Sequence, residues 1–119
     1  MWLFTEFGFF SIVRKPGDSC LTVRARVEAD LDALRRYAPG LSETVAGAGT
    51  DYPYRACISP EDLGPALAEV VQAIDYGNFK QRVAANQGPG RETVYHRVWR
   101  AMMNLGSTVM PGLDGFPWH

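Results

Sequence analysis

The sequence predicts an antiparallel α+β domain. Alternating and β-branched segments crowd the first half of the chain, turn residues separate them, and apolar stripes of helical period dominate the second half. Trp2 to Thr5 is apolar and aromatic, Glu6-Phe7-Gly8 offers a turn, and Phe9 to Lys15 is β-branched and aromatic again. Pro16-Gly17-Asp18-Ser19 supplies a fixed φ followed by a residue that tolerates a positive one, so it reads as a turn. Leu21 to Val27 alternates cleanly, with Leu21, Val23, Ala25 and Val27 on one side and Thr22, Arg24 and Arg26 on the other.

A helix follows over Ala29 to Tyr37, with Leu31, Leu34 and Tyr37 as its stripe. Acids at its start and Arg35 and Arg36 at its end complement the helix dipole, and Ala38-Pro39-Gly40 stops it. Residues 41–50 are small and glycine-containing, giving a weak strand over Glu43 to Ala46 and a flexible turn. Tyr52 to Ile58 resumes alternation, with Tyr52, Tyr54, Ala56 and Ile58 on one side and Arg55 and Cys57 on the other. Pro53 marks this segment as an edge strand or a strand beginning.

Ser59-Pro60-Glu61-Asp62 opens a helix with the stripe Leu63, Leu67, Val70, Val71 and Ile74. Pro65 is awkward there, so either the first turn is irregular or the helix begins near Pro65. Asn78, with Gln81 three residues on, caps a short helix over Phe79 to Ala85. Gln87-Gly88-Pro89-Gly90 breaks the chain before a helix over Arg91 to Leu105. Its face is Val94, Tyr95, Val98, Trp99, Met102 and Leu105, with Gly106 as its C-cap.

The order is β-β-β-α-β-β-α-α, an antiparallel sheet of four to five strands with helices packed on one face. A ferredoxin-like or related two-layer sandwich fits, with barrel closure as the alternative. Residues 1–106 read as a single domain and 107–119, Pro- and Gly-rich with Phe116 and Trp118, as an irregular tail. No internal repeat is present.

A chain of 119 residues, 46% hydrophobic and 21% charged, is ordinary for one globular domain. Net charge of −1 and a pI near 6.1 remove the global electrostatic footprint of a nucleic-acid or membrane-surface protein, while leaving room for a local basic patch. The opening lacks a basic n-region and reaches Glu6 early, and no apolar run approaches the ~20 residues of a membrane span. The expected address is therefore cytoplasmic, with Cys20 and Cys57 as small reduced core residues rather than a pair.

The opening MWLFT-x-x-GFFSIV, the LTVRARV strand, DYPYRA, IDYGNFK and YHRVW together resemble a group of small bacterial proteins of unknown function, over most of residues 1–105. The resemblance implies a bacterial, intracellular domain. It carries over no activity, ligand or site residue.

Chemistry-bearing groups are few. The histidines are His96 and His119, and no cysteine or histidine pair has ligand spacing, so neither metal nor cofactor is expected. An enzyme would draw on Cys57, His96 and Tyr76, but a small strand cysteine and a solvated helix histidine account for the first two more economically. No catalytic residue is assigned. Glu61, Asp62, Asp30 and Asp32 sit at helix starts, where carboxylates stabilise the dipole. Ala46-Gly47-Ala48-Gly49-Thr50 lacks the lysine and following helix of a phosphate-binding loop.

Two candidate binding sites remain. Arg24, Arg26 and Arg55 form a basic sheet face suited to an anionic ligand, with neighbouring aromatics able to stack as in single-strand nucleic-acid binders. The same arginines also suit a solubilising, edge-protecting face. Tyr76, Asn78 and Lys80 lie in the polar elbow Asp75 to Lys80, which also reads as a plain connection. Chain composition, with 12% aromatics and three tryptophans, favours a non-catalytic module that binds a protein partner or itself.

Overall fold

The computed structural model describes residues 1–47 and 51–107. The expected tail from residue 108 onward and the Ala48–Thr50 end of the flexible turn lie outside the described residues. Two compact units divide the chain, Met1–Gly77 and Asn78–His119.

The first unit holds β1 (Trp2–Thr5), β2 (Gly8–Val13), β3 (Leu21–Ala25), α1 (Glu28–Tyr37), β4 (Tyr54–Ile58) and α2 (Pro60–Gln72). Its sheet is antiparallel throughout, in the sequential order β1-β2-β3-β4. That order makes a meander with helices on one face, a two-layer sandwich without the split βαβ connection of a ferredoxin-like fold. The turns are chemically specified. The Thr5 hydroxyl donates to Gly8 O at 2.9 Å and accepts from the Gly8 and Phe7 amides, closing β1 onto β2. Gly17, at φ 85°, takes the left-handed position between β2 and β3.

Alternation along the strands gives the sheet two unlike faces. Phe10, Ile12, Val23, Ala25, Ala56 and Ile58 point to the core, where α1 delivers Leu31 and Leu34 and α2 delivers Leu63 and Ala66. Both α1 leucines are fully buried, each contributing about 2 kcal/mol by the usual side-chain transfer scale. Asp30, in the first turn of α1, is buried as well and accepts the Phe9 amide at 3.0 Å on Oδ2. Gly8 is required beneath it, because a Cβ there would meet Asp30 Cβ and Cγ at 2.8 Å.

Three expectations need correction here. The weak strand over Glu43 to Ala46 is an isolated bridge, Val45 to Arg55. It still caps the sheet: Val45 exchanges both backbone hydrogen bonds with Arg55, and Ser42 donates to Cys57 O while its hydroxyl accepts the Cys57 amide. Cys20 and Cys57 are disulfide-bonded, not reduced core residues. The register explains the bond: Thr22 pairs with Cys57, so Cys20, two residues earlier on the same face, is a diagonal neighbour with its Cα 6.0 Å away. Tyr52 does not share a side with Tyr54, Ala56 and Ile58. Pro53 cannot donate to a ladder, so β4 starts at Tyr54 and Tyr52 falls out of its alternation.

Helix α2 starts at Pro60, where the Ser59 hydroxyl accepts the Asp62 amide, and runs through Pro65. The carbonyl that Pro65 leaves without a helical donor belongs to Glu61, on an exposed turn that water can reach.

The second unit holds α3 (Phe79–Gln87), α4 (Pro89–Met102) and α5 (Asn104–Ser107). Asn78 caps α3 by accepting the Gln81 amide at 2.9 Å, and Gly88 at φ 88° turns the chain into α4. Helices α3 and α4 pack together, with Phe79 stacked on the buried Tyr95 at 5.8 Å. The expected single helix to Leu105 breaks at Met103, and Gly106 lies inside α5 rather than capping α4. Of the expected apolar face, Tyr95 is buried and Val98 half-buried, while Val94, Trp99, Met102 and Leu105 are exposed.

Candidate functional site

The outer face of the sheet, opposite α1, carries arginines, aromatic rings and a buried serine side by side. Register decides its membership. Trp2 pairs with Ser11, Ser11 with Arg24, and Arg24 with Arg55, so these four form one row across all four strands. Phe4 and Phe9 form the next pair on that face. Their rings stack at 4.5 Å, and Phe9 makes a T-shaped pair with Trp2 at 5.8 Å and tilts toward Tyr52 at 6.5 Å.

Tyr52 gathers the arginines. Its ring, only 5% exposed, lies 4.7 Å from the Arg24 guanidinium carbon and 5.0 Å from that of Arg26. Its carbonyl accepts from Arg55 Nε at 3.4 Å. Cation–π contact holds a guanidinium in place without neutralising it. Arg24 Nη2 donates to the buried Ser11 hydroxyl at 2.6 Å, and Arg24 Nε is sealed from solvent without a partner. Among the described residues no carboxylate forms an ion pair with Arg24, Arg26 or Arg55. Three permanently charged groups, two over the Tyr52 ring and one on its carbonyl, thus gather without a carboxylate partner among the described residues, on a chain whose net charge is −1.

The elbow residues fall on different units. Tyr76 is half-buried near the end of the first, and Asn78 and Lys80 open the second. Within the second unit, Asn78, Lys80, Gln81, Glu92, Thr93 and His96 line an open cleft of about 390 Å³. Lys80 Nζ donates to His96 Nδ1 at 3.2 Å and sits 4.2 Å from the Trp99 ring centroid, while His96 stacks on Trp99. The cleft's cation is thus already engaged by an acceptor and a ring.

Cys57, considered as a nucleophile, has no free thiol because Cys20 binds it. Among the described residues no group of acids, histidines and cysteines is arranged to hold a metal ion. No described helix is long and apolar enough to cross a membrane.

Sequence reasoning named Arg24, Arg26 and Arg55 but missed Tyr52, Ser11 and Trp2 as their companions. The signals were present: Pro53 displaces Tyr52 from its strand, and alternation in Gly8–Val13 sets Phe9 and Ser11 opposite Phe10 and Ile12. What joins them is strand register, which individual strand patterns do not specify. No family model, no curated protein and no solved structure matches the chain.

Proposed function

We propose that this protein is a non-catalytic binding module that takes an oxyanion-bearing ligand on the outer face of its sheet. The observation that carries the reading is the gathering of Arg24, Arg26 and Arg55 at Tyr52 with no carboxylate paired to them among the described residues. Guanidinium forks match the geometry of phosphate and carboxylate oxygens, and each charge-assisted hydrogen bond is stronger than its neutral counterpart. Isothermal titration with inorganic pyrophosphate at constant ionic strength tests it. Saturable heat that disappears in the Arg24→Gln/Arg26→Gln variant supports the reading; an athermal, featureless titration matched by an unchanged melting temperature removes it.

A second reading, association with a protein partner or with another copy, rests on Val94, Trp99, Met102 and Leu105, which leave an apolar strip exposed along α4 and α5. Sedimentation velocity of the protein across a hundredfold concentration range, with Trp99→Glu beside it, measures self-association directly. The cytoplasmic address expected from composition belongs here too, and it is opposed by the Cys20–Cys57 bond, since such bonds persist chiefly in oxidising compartments.

A further inference from the structure

We infer that the ligand is a nucleoside phosphate, its phosphate held by the arginines at Tyr52 and its base stacked on Trp2. This rests on the oxyanion reading above and adds the identity of the rest of the ligand. Charge sets the first requirement. Three guanidinium groups with no carboxylate partner among the described residues favour a multiply charged anion over a single carboxylate. Arg24 is anchored through Nη2 on Ser11 and Arg55 through Nε on Tyr52 O, so both are fixed before any ligand arrives. Arg26 is exposed and, among the described residues, carries only its ring contact to Tyr52, which leaves its fork open to phosphate oxygens.

The second requirement is an apolar flat group beside the charge. Trp2 is 66% exposed, an unusual position for so large a ring. It is braced by a T-shaped contact with Phe9, itself stacked on Phe4. A fixed, solvent-facing indole is a stacking platform, and a nucleobase is the group that stacks on one irrespective of its sequence of hydrogen-bonding atoms. Spacing joins the two requirements. Trp2 and Arg24 flank Ser11 in the same row, two strand spacings or about 10 Å apart, a separation that a nucleoside bearing one or two phosphates bridges. The arginines form one cluster rather than a stripe, and net charge is −1, so a free nucleotide fits this face better than a long strand does.

The experiment compares adenosine diphosphate with inorganic pyrophosphate by isothermal titration at fixed ionic strength, on the wild-type protein, Trp2→Ala and Arg26→Gln. Both changed residues are exposed, so neither variant removes core packing. The expected result is about tenfold tighter binding of the nucleotide, the size of one base stack. Trp2→Ala abolishes that gain while keeping pyrophosphate binding, and Arg26→Gln weakens both ligands. Equal affinity for the two ligands, or an unaffected Trp2→Ala variant, overturns the base contact and leaves the oxyanion reading standing. Absence of binding by either ligand overturns both. A short oligothymidylate that binds more tightly than the diphosphate, with a steep salt dependence, replaces the free nucleotide with a strand and likewise overturns the inference.

Discussion

Arg35 and the arginines at Tyr52 are the same side chain put to opposite uses in one unit. Arg35 engages all three of its guanidinium nitrogens with protein groups. It pairs with Asp32 at 2.9 Å, donates to the carbonyls of Leu41 and Ser42, and reaches the Thr44 hydroxyl at 3.0 Å. The segment it grips is the one that bridges to β4, so this arginine is a brace. Among the described residues, Arg24 and Arg55 each have one oxygen partner, Arg26 has a ring alone, and none of the three has a carboxylate. A guanidinium whose donors and charge are both satisfied stabilises the fold; one held by a ring and left charged retains its capacity to bind.

Perturbations of decreasing size separate the two uses. Reduction of the Cys20–Cys57 bond has the largest expected effect on stability, about 3 kcal/mol, read as a lower urea midpoint with a thiol reductant present. Pyrophosphate binding survives it, because five β3–β4 register pairs hold Arg24 opposite Arg55 independently of the bond. Arg35→Ala comes next, at about 2 kcal/mol, since it leaves several acceptors of the 41–44 segment without their donor. Urea denaturation measures that loss, and titration with pyrophosphate is expected to change little. Asn78→Ala costs about 1 kcal/mol through loss of the α3 cap, and circular dichroism during thermal melting detects it without any change in ligand binding. The smallest stability effect, within about 0.5 kcal/mol, belongs to Arg26→Gln. That variant nevertheless has a large expected effect on anion affinity. Were Arg26→Gln to destabilise the protein as much as Arg35→Ala, the contrast between brace and binder would collapse.

Local patterns carried much of this fold. Strand β3 was legible because its alternation is strict, and α1 because Leu31, Leu34 and Tyr37 keep helical period between opposite charges. The α3 cap was legible from Asn78 and Gln81, since capping is a contact over three residues. What escaped depends on pairing between distant segments. The cysteine bond requires knowing that Thr22 lies opposite Cys57, and the bridge at Val45 that Arg35 grips residues 41–44. The site was half legible for the same reason. Alternation gave Arg24 and Arg26 a shared side, but only the β1–β2–β3 register sets Trp2 in the same row, and only the break at Pro53 frees Tyr52 to meet them. On α4 the helical period was right and its burial was not, because periodicity ranks faces by hydrophobicity and does not say which of them acquires a neighbour.

The strap across β4 has a consequence for behaviour in concentrated solution. An uncovered strand invites identical strands to add on, chain after chain, toward cross-β fibrils. Here Val45 and Ser42 occupy donors and acceptors that a second molecule would need at Arg55 and Cys57. Growth of a fibril from that side would first have to peel away a segment clamped by Arg35, so the same guanidinium that braces the fold also serves as a kinetic barrier to polymerisation.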